Sequence, residues 1–119
     1  MKRLELERNQ FDEITILRCP HCRGNNLHHF RVRVFDRHED DVIVVETTVQ
    51  SGLSAAHRIP SEDSRNPSSR RHGLAIDFVC ENCGDTPKPI VLTVAQHKGS
   101  THVAWGDDYL DPPHMVVRI

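Results

Sequence analysis

No stretch of the chain approaches the ~20 consecutive apolar residues that a membrane-spanning helix needs. The opening MKRLELERNQF is charged from its second residue and lacks the unbroken apolar region of a secretory signal. Both absences lead us to expect a soluble, cytoplasmic protein without membrane contact. An excess of one charge is also missing. Lys plus Arg number 15 against 17 Asp plus Glu, for a formal net charge of −2, so binding of nucleic acid by bulk positive charge is excluded and any such binding must use a local patch. Aromatic residues are scarce, with four Phe, one Tyr and one Trp, which leaves little for base stacking. Phe35 and Trp105 are the candidates, and each reads first as packing. Gly-x-Ser-x-Gly elbows, Walker loops and HExxH helices are absent. No catalytic residue is nominated, and the expectation is a protein that is not an enzyme.

Cysteine is rare but patterned. The four in the chain form two pairs, CPHC at 19–22 and CENC at 80–83, with residues 23–79 between them. Disulfides do not persist in a reducing cytoplasm, so matched pairs there point to metal or redox chemistry. A redox pair calls for a single CxxC opening a helix, whereas both pairs here follow strand-like sequence. Two thiolates two residues apart can share one ion in a tight turn, and two such turns complete a tetrahedral zinc site. Cys19, Cys22, Cys80 and Cys83 are therefore assigned as ligands of one structural Zn2+. With four thiolates the site is closed, which excludes a catalytic zinc with an open water position. Gly24 and Gly84 supply backbone freedom beside the knuckles, and His21 is expected to face solvent or bond to backbone.

The 119-residue chain as a whole reads as one β domain. Residues 14–17 form a short strand into the first knuckle. HHFRVRVF (28–35) alternates and VIVVETTV (42–49) is β-branched almost throughout, so 28–49 reads as a long hairpin around the polar turn DRHEDD. LAIDFVC (74–80) alternates into the second knuckle, and 89–97 with 101–105 form a hairpin around Lys98-Gly99-Ser100. Residues 51–73 carry serines, two prolines and two glycines without periodicity and read as a long Arg/Ser-rich loop, while 106–119 form an acidic, proline-containing tail with a possible edge strand at its end. The expected core is the even-numbered set Phe30, Val32 and Val34 with Leu74, Ile76, Phe78, Ile90, Leu92 and Val94. This places His29, Arg31 and Arg33 on an exposed, basic strand face.

CPHC followed by Arg23-Gly24, strands, CENCG and a terminal hairpin resembles the zinc-ribbon group of domains, found in transcription and translation machinery. It is also similar to small zinc-ribbon proteins of bacteria, phages and other mobile elements. Simple ribbons separate their knuckles by fewer residues; here a long hairpin and a loop intervene. The resemblance implies an all-β, antiparallel ribbon-like sheet with an inserted hairpin, and a role in handling nucleic acid.

Twelve of the fifteen basic residues are Arg, whose planar fork suits phosphate, carboxylate and base edges. Arg65, Arg70 and Arg71, with Arg58 nearby, fall in the long loop. If that loop folds over the strand face of Arg31 and Arg33, six arginines form one patch for nucleic acid or a protein complex handling it. The plainer alternative is that the loop arginines pair with Glu62 and Asp63 and anchor the loop. A second functional reading is a phage or mobile-element interaction factor that docks on a host protein machine through acidic segments such as DRHEDD and GDDYLD. Among nine histidines, His97 and His102 bracket the last hairpin turn and could approach each other.

Overall fold

The computed structural model describes residues 3–8, 14–83 and 89–106. They form eight strands: β1 Leu6–Arg8, β2 Thr15–Leu17, β3 Leu27–Asp36, β4 Ile43–Gln50, β5 Leu53–Pro60, β6 Gly73–Cys80, β7 Val91–His97 and β8 Ser100–Trp105. β1 and β2 pair by themselves, and the other six make one sheet in the order β5-β4-β3-β6-β7-β8. Every pairing is antiparallel, so the expected all-β, antiparallel class is what the chain adopts. Among the described residues, no helix is long and apolar enough to cross a membrane. The proline-containing tail lies outside the described residues beyond Gly106.

Both expected hairpins form, but the long loop is shorter than the sequence suggested. Residues 53–60 are strand β5, paired along their length with β4. The cause is the Ser51-Gly52 turn, whose residues sit at φ 52° and 79°. Two successive positive-φ residues give a hairpin turn whose twist matches the flanking strands. LSAAHRIP is a weak strand by composition and almost wholly exposed. Its edge position demands ladder hydrogen bonds on one side only, and Pro60 falls at its end, where a missing donor is tolerated. Strand β1 was likewise unmarked in the polar start.

Strand order dictates which face of the sheet is covered. β3-β4-β5 and β6-β7-β8 are two meanders, and β6 pairs with β3. The chain must therefore return from the edge strand β5 across β4 and β3, a span of about 14 Å at ordinary strand spacing. Residues 61–72 make that crossing. Ser68 is buried and donates its hydroxyl to the Gln96 carbonyl at 2.7 Å. Gly73 has no room for a side chain, since a Cβ there would meet Asn66 Oδ1 at 2.1 Å and the Pro67 ring at 2.8 Å. Beneath lies a buried cluster of Phe35, Val44, Ala75 and Val91, with Ile59 packed against it.

This arrangement inverts the expected strand face. Arg31 and Arg33, read as an exposed basic surface, are 4% and 1% exposed, and Asp77 beside them is 0%. The expected core residue Val34 is 43% exposed, and Val32, Leu74, Ile76 and Val94 are only partly buried. Alternation did identify the two faces of the sheet; the crossing segment lies over the arginine side. A register shift between His29 and Arg31 adds to the error. It places Leu27 and His29 in the same phase as Val32 and Val34, where strict alternation would have put Phe30. Of the expected core, Ile90 is buried, and Phe78 and Leu92 pack beside it in a second cluster with Cys19, Trp105, Leu17 and Leu27 at the knuckle end.

The buried arginines share a carboxylate. Asp77 Oδ2 accepts from Arg31 Nε and, at 3.4 Å, from Arg33 Nη2. Burial pushes the Arg33 pKa down, the Asp77 carboxylate opposes that, and Arg31 adds to it. Removing the acid leaves two buried cations without this counter-charge, so Asp77→Ala is expected to cost about 3–5 kcal/mol, read from the urea midpoint of the metal-loaded chain. A cost within about 0.5 kcal/mol, typical of a surface site, would show that the acid is not the charge partner.

Candidate metal centre and arginine surface

The first knuckle folds by local backbone bonds. Cys19 N donates to the Gly24 carbonyl at 2.8 Å and Arg23 N to the Cys19 carbonyl at 2.9 Å. The positive-φ residue that turns the chain is Arg23, at 65°, rather than the neighbouring Gly24 singled out from sequence; Gly84 lies outside the described residues. Strand β6 delivers Cys80 to the same end of the molecule. The four Sγ atoms all lie within 4.8 Å of one another, with Cys19 to Cys83 at 3.6 Å and Cys22 to Cys80 at 3.5 Å. These separations are far beyond a disulfide bond, and all four cysteines are free.

The donor set fits zinc. At a Zn–S distance near 2.3 Å a tetrahedron has sulfur–sulfur edges of about 3.8 Å, close to the two shortest separations here. Backbone amides also point at the sulfurs, His21 N to Cys19 at 3.4 Å, Gly24 N to Cys22 at 3.3 Å and Asn82 N to Cys80 at 3.4 Å. Such bonds stabilise thiolates and fix their direction toward an ion. The Gly24 amide brings the Cys22 pKa down to about 7. Burial and the neighbouring thiols push Cys83 up, and burial does the same for Cys80. One thiolate forms readily while its neighbours resist, which is how clustered sulfurs behave until a cation compensates their charge. His21 bonds to backbone, as expected: Nε2 lies 2.9 Å from the Pro89 carbonyl and must carry the proton, since a carbonyl only accepts.

The cysteine cluster is tied into the core. Cys19, Cys80 and Cys83 pack with Ile90, Trp105 and Phe78, and the Phe78 and Trp105 rings meet edge to face at 6.1 Å. Phe35 and Trp105 are both buried, so neither is a stacking platform for bases. Arg18 to Glu7 at 3.3 Å and Arg23 to Glu5 at 3.6 Å link the knuckle to the β1–β2 ribbon.

The six nominated arginines do not form one patch. Arg31 and Arg33 are inside with Asp77. Arg70 forks onto Asp40, Nε to Oδ1 at 3.0 Å and Nη2 to Oδ2 at 2.7 Å, with Glu39 at 3.7 Å. The anchoring alternative is therefore the one that applies to Arg70, although its partners are these acids rather than Glu62 and Asp63. Arg37, not nominated from sequence, clamps the same segment by donating to the carbonyls of Asp41 and Ser69 at 2.8 and 3.0 Å. Arg58, Arg65 and Arg71 remain exposed. His97 and His102 do meet, with ring centroids 5.3 Å apart, but among the described residues no third Cys, His, Asp or Glu joins them in a metal-binding group. Asp77 and Arg37 were the residues that sequence reasoning missed. Pairing β3 against β6 in register would have set Asp77 opposite Arg31.

Compared with known proteins, the chain matches no family model, no curated protein and no solved structure.

Two outcomes are expected from this geometry. Stripping metal with a chelator should raise amide exchange first around Cys19, Phe78 and Trp105, while the β4–β5 hairpin keeps its protection; uniform loss of protection would mean that the knuckles do not form a local unit. Arg70→Ala should speed tryptic cleavage after Arg65 and Arg71 with little change in global stability. An unchanged cleavage rate would show that the Asp40 fork does not hold the crossing segment.

Proposed function

We propose that the chain is a non-enzymatic module, organised by one structural zinc, that acts by docking on protein through the open face of its sheet. The observation that carries this reading is the inverted sheet. Its polar side, with Arg31, Arg33 and Asp77, is buried, while its aliphatic side is left half in water, with Val34, Val49 and Val103 each 43–49% exposed. An antiparallel sheet with one solvated face normally turns its polar side outward. A contiguous apolar face marks a contact surface.

The second reading, contact with nucleic acid, rests on Arg58, Arg65 and Arg71, which are exposed. Three phosphate contacts give a logarithmic salt slope of only about −3 on duplex DNA, small for a chain whose formal charge is −2. Fluorescence anisotropy of labelled single- and double-stranded DNA, titrated with the zinc-loaded protein at several salt concentrations, separates the two. We expect binding too weak to saturate and unaffected by Arg65→Ala with Arg71→Ala. A saturable, salt-steep isotherm flattened by that pair of substitutions would establish the nucleic-acid reading instead.

A further inference from the structure

We infer that the partner of the open sheet face is a second copy of this chain, stacked face to face. The inference rests on the docking reading above and names its occupant. Register places Ala56, Thr47, Val34, Leu74, Val94 and Val103 in one unbroken row across all six strands. The next row adds Val49, Val32 and Ile76 before it passes under the knuckle cluster at Trp105. The two rows contain no ionisable side chain.

Three observations select a copy of the chain over a foreign protein. Discrimination among foreign partners uses charges and buried hydrogen bonds placed against the wrong ones, and this band offers no charge and, beyond the Thr47 and Ser54 hydroxyls near the β5 edge, only apolar side chains. Its flanking row carries Arg58 and Asp36 on either side of Val45, one charge of each sign, so a copy meets no net repulsion at the rim. Size also fits. Six strands at ordinary spacing span about 24 Å, and the band with its rims is about 20 Å along the strands. With the Trp105 corner already covered, two copies would then remove a little under about 1,000 Å² in total, the lower end for a specific interface, and twisted sheets of one shape pack aligned with interdigitated side chains. The product is a reversible dimer rather than an obligate one.

Sedimentation velocity of the full zinc-loaded chain, from about 1 to about 100 μM, tests this. The wild type should pass from one to two chain masses with rising concentration. Val34→Lys enters a two-fold contact twice and should weaken self-association by about 100-fold with zinc content and circular dichroism unchanged; Val49→Lys takes its place if that variant does not fold. Leu53→Lys, on the other face of the edge strand β5, should leave the dimer intact. A dimer broken by Leu53→Lys and indifferent to Val34→Lys would overturn the inference in favour of edge pairing. A monomeric wild type at every concentration would overturn it as well, and the dye ANS then decides the underlying reading. Dye binding lost in Val34→Lys keeps an apolar docking face for a foreign protein, whereas no dye binding by the wild type removes both.

Discussion

Four thiols gathered within 4.8 Å resist ionising together unless a cation sits among them, and the knuckle end of the sheet depends on that constraint. The cluster joins a knuckle near the start of the chain to one at the end of β6, so it closes a loop that contains β3, β4, β5 and the crossing segment. Closing so long a loop has a large entropic cost, which a metal ion bound by the four thiolates would offset directly as folding free energy. Cys19, Cys80 and Cys83 are also part of the apolar cluster around Trp105 and Ile90. The cysteine cluster and the core therefore meet at one end of the sheet.

The other end is held differently. There the return from β5 to β6 crosses two strands and is fixed by side chains reaching backbone, Ser68 on Gln96 and Arg37 on Ser69 and Asp41, and by the side-chain fork between Arg70 and Asp40. Asp40 is held below its ordinary pKa by its bonds to Arg70. Its contribution is thus present above the ordinary carboxylate range and is lost as pH falls through the lowered value. The same crossing buries Phe35 and Val44 on its own side and leaves the aliphatic rows on the other. Topology, rather than hydrophobicity alone, sets which face the molecule leaves open.

Much of the architecture was legible in the residues. Cysteine spacing located the four-thiol cluster, and alternation located β3, β4, β6, β7 and β8 with their hairpins. What alternation cannot say is which of two faces is covered, because it reports phase and not topology. Arg31 and Arg33 were misplaced for that reason. Their burial needs Asp77, on a strand 44 or more positions away in sequence, and single-strand reading has no access to such a partner. Strand β5 was hidden by its composition. Ser51-Gly52 carried the signal, but LSAAHRIP owes its extended form to the ladder with β4 rather than to its own propensity.

One tetrathiolate site per chain is the central expectation for this molecule, and cobalt substitution tests it most directly. Titrating Co2+ into the metal-free chain should produce the absorption of a tetrahedral, all-sulfur cobalt centre that saturates at one ion per chain and is displaced by one equivalent of Zn2+. A spectrum of mixed nitrogen and sulfur ligation, or no spectrum at all, would contradict the assignment of Cys19, Cys22, Cys80 and Cys83 as the organising centre of the fold.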